Sequence, residues 1–258
     1  MDHPAHWRAR IRVGLWDRPT AGLAPGYVQA NVVLVPEPYA EAFFRFCERN
    51  PKPCPLLDVT DPGDPVPRRV APDADLRTDV PKYRVYRDGD LVEERTDIQD
   101  LWGPELVGFL LGCSFTFEAA LLRAGIPVRH LECGCNVPMY ITDRMCLPSG
   151  PFSGPLVVSM RPIPESDVER AIRITARYPL AHGAPVHVGD PSALGIVDLA
   201  CPDYGDPVPI REGEVPVFWA CGVTPQAVAR QARLPLLITH APGHMFLTDL
   251  RDEDLTEG

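Results

Sequence analysis

No basic run, no stretch approaching the ~20 apolar residues of a membrane span and no pair of CxxC motifs occurs in these 258 residues. Each absence removes a class of function. With a net charge of −10 and no clustered Lys or Arg, nucleic acid is not expected as a partner, because phosphate backbones are held by local positive charge. Without an apolar span, and with an opening MDHPAHWRAR that lacks the apolar centre of a signal peptide, the expectation is a soluble, cytoplasmic protein with no membrane partner. Eight cysteines offer only one close pair, Cys133-Gly134-Cys135, with no second pair beside it. No structural zinc is expected, and in a reducing compartment most of the thiols should be buried small hydrophobes. Internal repeats are also missing.

What the chain has in excess is proline. Its 31 residues are roughly twice the usual share of about 5%, which favours short elements joined by rigid turns over a helical bundle. Apolar residues make up 45%, and the length allows a substantial core without disulfides or metal. The fold expected is α/β, a layered mixed-sheet sandwich with a smaller α+β lobe packed against it. It is read as one catalytic unit, with two intimately packed discontinuous lobes as the variant and no linker-joined domain.

The pattern predicts a short helix over 7–12, a strand over 27–35, a helix over 38–49 and a strand over 56–59. Residues 61–79, rich in Asp, Pro and Arg, read as an exposed excursion. Asp88-Gly89-Asp90 between β-like runs predicts a hairpin. Leu106 to Leu122 is the strongest apolar block, either one helix or two pieces broken at Gly112-Cys113-Ser114, and periodicity favours a buried helix with a satisfied serine. If a helix instead starts at Phe115, Ser114 becomes its N-cap candidate. Strands are expected over 127–132 and 155–160, the latter ending at Arg161, and an amphipathic helix over 164–178. Strand 215–221, a helix capped by Thr224 and strand 236–239 read as a βαβ unit, with His240, Gly222 and Arg161 at the functional ends.

Residues 182–206, HGAPVHVGDPSALGIVDLACPDYGD, place two histidines and four aspartates among glycines and prolines. A shaped loop carrying ionisable groups is predicted there, and it is taken as a pocket wall facing Cys113 to Glu118 and Arg161. His182-x4-His187-x2-Asp190 has metal-ligand residue types, but its spacing is not diagnostic.

Ten stretches in order then carry a resemblance: PTAGLAPGYVQAN (19–31), FCERNPKPCPLL (46–57), LRTDVPKYRVYRDG (76–89), GCSFTFEAAL (112–121), NVPMY (136–140), VVSMRP (157–162), HGAPVHVGDP (182–191), PDYGD (202–206), VFWACGVTPQ (217–226) and ITHAPGHMFLTD (238–249). Together they resemble the YcsI-type hydro-lyase family, which includes the N-terminal part of mitochondrial D-glutamate cyclase. The resemblance implies loss of water or lactam formation and no required metal or cofactor. Two positions depart from the family pattern: Cys135 and Ile141 stand where relatives carry arginine, which suggests a less anionic substrate.

Dehydration needs a base, an acid and donors that hold developing charge. Glu118, His187, His240 and Cys113 are the catalytic candidates, with Cys113 conditional on a lowered thiol pKa. Ser114, Asn136, Tyr140, Arg161, His182 and Asp190 are the substrate-binding candidates. A small-molecule substrate is the expected partner, and a homodimer is left open. The reaction expected is dehydration or dehydrative cyclisation of a small amino or hydroxy acid. A tailoring enzyme acting on a larger intermediate and a non-catalytic binding protein are the alternatives.

Overall fold

The computed structural model describes residues 3–256, and the fold is arranged around one strand. The Val-rich run at 27–36 forms β1 (Tyr27–Pro36), with both faces buried over its central eight residues. Along one edge it pairs over nearly its whole length with β5 (Leu106–Gly112). Along the other it pairs first with β11 (Phe246–Arg251), then with β10 (Leu237–His240). Adding β2 (Leu56–Val59), β3 (Tyr83–Arg87) and β4 (Asp90–Arg95) gives a seven-stranded sheet in the order β2-β5-β1-β10-β3-β4, with β11 branching from β1.

A second sheet has the order β6-β7-β9-β8, from β6 (Met139–Met145), β7 (Pro155–Pro164), β8 (His187–Val188) and β9 (Glu214–Ala220). The layered α/β sandwich is borne out, and every strand pairing described is antiparallel.

Helices cover both faces of the larger sheet. On one, α2 (Glu37–Arg49) lays Phe43 edge-on to Phe109 at 4.8 Å. On the other, α3 (Phe115–Arg123) and α5 (Val168–Ala176) join the smaller sheet, so one core holds Val32, Leu110 and Phe117 with Val217 and Trp219. The first helix, α1 (Pro4–Arg12), is tied to β11 by Arg8, which donates to Asp249 at 2.8 Å and to the Leu247 carbonyl at 2.9 Å.

Several expectations are corrected. The apolar block at 106–122 is strand then helix, because β5 is buried at all seven positions and its continuous apolar run mimics a buried helix. Residues 127–132 are not a strand; Arg129–Cys133 make a one-turn helix, α4, closed by Gly134 in the left-handed region. Arg161 lies inside β7 and not at its end. The excursion at 61–79 is pinned by buried Val70, Ala71, Leu76 and Asp79.

The supposed βαβ unit is split, since β9 and β10 belong to different sheets and α6 (Val223–Gln231) crosses between them. Thr224 does not cap α6; its hydroxyl exchanges hydrogen bonds with the backbone N–H and carbonyl of Val157, and Gly222 takes the cap position. No helix among the described residues is long and apolar enough to cross a membrane.

Candidate active site

Where β1 changes partner, its outer edge is briefly unpaired. Ala30 is opposite Phe246 of β11 and Val33 opposite Thr239 of β10; between them the Val32 N–H donates to Nδ1 of the His240 ring at 3.0 Å. A side chain thus replaces a strand at this seam. Beside it is a chamber of about 20 Å³, lined in part by Asn31 of β1, Cys113 and Ser114 after β5, Asn136, Cys221 after β9, and His240. That volume admits about one water-sized group.

Asn136 also borders an open cleft of about 590 Å³. Lys82, Arg84 and Glu94 form one side of the cleft, Asp203 to Asp206 the other, and Ala241, Pro242 and His244 complete it. Arg84 is paired with Glu94 at 2.8 Å, whereas Lys82 makes no ion pair among the described residues. The Asn136 side-chain amide likewise has no hydrogen bond to protein among the described residues; its backbone N–H donates to Asp206 at 2.9 Å, which fixes the turn. Lys82 and the Asn136 amide are therefore free to meet a ligand.

Behind the chamber lies a buried polar cluster. Arg161 donates from Nε to Glu118 Oε1 at 2.9 Å, from Nη2 to the same oxygen and to Ser114 Oγ at 2.9 Å, and from Nη1 to Ser159 Oγ at 3.1 Å. Its guanidinium also lies over Phe117 and Trp219, at 5.1 and 5.5 Å from the ring centroids. Burial alone would raise the Glu118 pKa, but Arg161 and then His130, whose Nε2 is 3.4 Å away, reverse that effect and lower it. Glu118 is consequently an ionised anchor for Arg161 and not a proton donor. Ser114, which accepts from Arg161, keeps its own proton to donate.

Burial pushes the Cys113 thiol up to about 12, outweighing the Phe115 N–H that favours the thiolate, so Cys113 is no activated nucleophile. His240 is lowered to about 4 by burial and is neutral near pH 7. Its Nδ1 lies within hydrogen-bond distance of both the N–H and the carbonyl of Val32, and the Gln226 amide reaches both ring nitrogens.

The structure brings Cys113, Ser114, Asn136 and His240 to the chamber, with Glu118 and Arg161 directly behind. Four other candidates go elsewhere, because alternate residues of a strand point to opposite faces. In β6, Met139 lines the chamber while Tyr140 faces away, donating its hydroxyl to the Leu199 carbonyl at 2.8 Å. The middle of the 182–206 loop, through Leu194, Ile196 and Leu199, covers that outer face with Val158, Met160 and Phe218.

His187 and Asp190 ride on that loop. His187 Nε2 contacts the Asp190 carbonyl at 2.7 Å, and the Asp190 carboxylate caps a 3-10 turn at Ser192. His182 is buried, with Nδ1 donating to the Lys52 carbonyl at 2.7 Å, Nε2 unpartnered among the described residues, and its pKa lowered to about 4 by burial. It does not line the chamber, and it does not converge with His187 and Asp190 on a metal site. The loop's end, Asp203 to Asp206, lines the cleft, and no residue of 182–206 lines the chamber.

The D-glutamate cyclase family model matches residues 107–249, more than half of the chain. A relative from Rubrobacter xylanophilus is 67% identical over 250 residues, 97% of this chain and 96% of that one. One from Stutzerimonas stutzeri is 65% identical over 252 residues, 98% and 95% of the two chains. One from Geobacillus kaustophilus is 64% identical over 248 residues, 96% and 94% of the two chains.

The chain belongs to the D-glutamate cyclase family. The three relatives share the name "Putative hydro-lyase". A solved nitrogen repressor-like protein from Methanococcus jannaschii, at 12% identity and a TM-score of 0.39 over 94% of this chain and 97% of that one, is too distant to inform the site.

Five of the ten stretches quoted from the sequence of this D-glutamate cyclase family member, the one ending at Asn31 and those holding Cys113, Asn136, Cys221 and His240, supply walls of one chamber. Residue-type reasoning missed Asn31, Ser159, His130, Cys221 and the cleft cations Lys82, Arg84 and His244. Convergence of the quoted stretches was the signal that could have found Asn31 and Cys221. The two departures from the family pattern, Cys135 and Ile141, adjoin the cleft wall without lining it: Cys135 precedes Asn136, and the Ile141 N–H donates to Asp203 at 2.8 Å. Cys135 packs against the outer cluster with Tyr140, and Ile141 is exposed; neither lines the chamber or the cleft.

Proposed function

We propose that this chain is a hydro-lyase-type enzyme that catalyses dehydration or dehydrative cyclisation of a small amino or hydroxy acid. One observation carries the reading: a cleft with a cation, Lys82, that makes no ion pair among the described residues shares Asn136 with a chamber of hydrogen-bond donors. A carboxylate held near Lys82 would place the reacting end at Asn136. There the Ser114 hydroxyl, the Asn136 amide and the neutral His240 ring would hold the charge that develops on oxygen. Glu118 and Arg161 act through Ser114 and are positioning residues.

The mutual pairing of Glu118 and Arg161 favours a second reading, non-catalytic binding, since groups satisfied by each other are not available to a ligand. Incubation with the enantiomers of glutamate and malate, followed by mass spectrometry for loss of one water, separates the two. Turnover that falls about 100-fold in Ser114→Ala supports the enzyme, in line with loss of one charge-stabilising donor. Binding without water loss from any of the four acids supports the alternative.

A further inference from the structure

The chamber holds donors but no carboxylate, and both ring nitrogens of His240 already lie against protein partners, Val32 and Gln226. Among its lining groups, only two thiols remain that can become anionic bases. They occupy matching places. One strand ends at Gly112 and its helix starts at Phe115; the other ends at Ala220 and its helix starts at Val223. Each corner carries a cysteine one residue past its strand, Cys113 and Cys221, and both line the chamber.

The corners end strands of different sheets, so two separate strand ends each bring one thiol to the chamber. Asn31 keys the corners together. Its amide donates to the Gly112 carbonyl at 2.8 Å, and a Cβ on Gly222 would come within 2.1 Å of its Nδ2.

We propose that Cys113 and Cys221 form a two-base pair that removes and returns the Cα proton of an α-amino or α-hydroxy acid from opposite faces. This activity goes beyond the hydro-lyase reading, because it needs a Cα–H and no departing water. In the step, the thiolate on one face takes the Cα proton and forms an S–H bond, and the C–H electron pair stays on carbon, delocalised into the substrate carboxyl. The opposite thiol then gives its proton to carbon on the other face and becomes the thiolate. One proton has moved from sulfur to sulfur through carbon, with no oxidant, metal or cofactor consumed.

Two nine-residue helices, α3 and α6, start at the chamber, and the positive ends of their dipoles favour negative charge there. The chamber admits about one water-sized group, so entry of a Cα requires the two corners to part. The charged and titratable groups around the pair are Glu118 and Arg161 beside Cys113, Arg161 beside Cys221, and His240 on the lining. Burial holds Cys113 up at about 12 and Cys221 at about 11, so thiolate is scarce at neutral pH and increases as pH rises.

The test incubates the whole chain with each enantiomer of glutamate and of malate in D2O. Proton NMR reads loss of the Cα–H, chiral chromatography reads inversion, and mass spectrometry reads water loss in the same samples. Wild type is expected to exchange and invert at least one of the two acids, at a rate rising about tenfold per pH unit from roughly pH 7 to 10, as a thiolate base requires. Cys113→Ser and Cys221→Ser should each lose inversion in both directions by at least about 100-fold.

Each single variant should keep exchange with one enantiomer only, and the enantiomer kept should differ between the two variants. A purely structural role would depress both enantiomers alike. The wild-type pH slope requires no variant, so poor folding of a variant does not rescue the proposal. Absence of Cα exchange, a flat pH profile, or equal loss for both enantiomers overturns the pair. Water loss without exchange leaves the hydro-lyase reading standing and overturns this one; exchange without water loss does the reverse.

Discussion

Arg161 and Glu118 meet through a single carboxylate oxygen: Oε1 accepts from both Nε and Nη2 of the guanidinium, with both residues buried. Either charge alone at that position would be isolated from water. Glu118→Gln or Arg161→Met should therefore destabilise the fold by about 3–5 kcal/mol, whereas the double replacement by apolar residues should cost less than either single. Urea denaturation of the three variants measures this.

Acid should unfold the protein in two stages. His182 and His240 each have a folded pKa lowered to about 4 by burial, below the unfolded value of about 6.5, so the unfolded chain binds more protons between those limits. Their contribution is fully present above about pH 6.5 and is lost as pH falls to about 4, on the order of 3 kcal/mol each. Glu118, also lowered, contributes above the ordinary carboxylate range and loses that contribution only as pH falls through its folded pKa. Urea midpoints against pH should show the histidine stage first, shallower in His182→Gln, and a later stage missing in Glu118→Gln.

Two glycines next to the chamber should differ in tolerance. A Cβ on Gly112 would sit 1.7 Å from the Leu180 carbonyl oxygen, which is backbone, while one on Gly222 meets the Asn31 side chain, which can turn. Gly222→Ala should fold with a loss of about 1–3 kcal/mol, and Gly112→Ala should lose more than that or fail to fold. Thermal melts would rank them.

His187 provides a contrast with Ser114. It lies against Phe218, with 5.8 Å between ring centroids, on the face of the smaller sheet away from Arg161, so His187→Ala should change turnover by less than about twofold while Ser114→Ala lowers it about 100-fold. Steady-state kinetics on whichever acid loses water would show it.

These contrasts mark what a sequence of this kind discloses. The run at 27–35, the helix at 38–49 and the Asp88-Gly89 hairpin are legible because period and turn chemistry are local. The block at 106–122 is not, since a strand buried on both faces has no period to distinguish it from a helix.

The 182–206 loop was legible as irregular, but which face it covers depends on the pleat of strands it touches only through long-range packing. Cys113, Ser114, Asn136 and His240 stand out as candidates from their neighbours in the chain, and all four line the chamber. Cys221 does not stand out, because only the fold brings the end of its strand to the chamber that Cys113 lines.

The seam in β1 has a further consequence. Because the Val32 amide is held by an imidazole and not by a neighbouring strand, its protection from solvent depends on the pose of one side chain. An occupant of the chamber that turns the His240 ring would release that amide while leaving the ladders on either side closed. Val32 is thus a built-in spectroscopic reporter, whose exchange rate signals occupancy before any chemistry occurs.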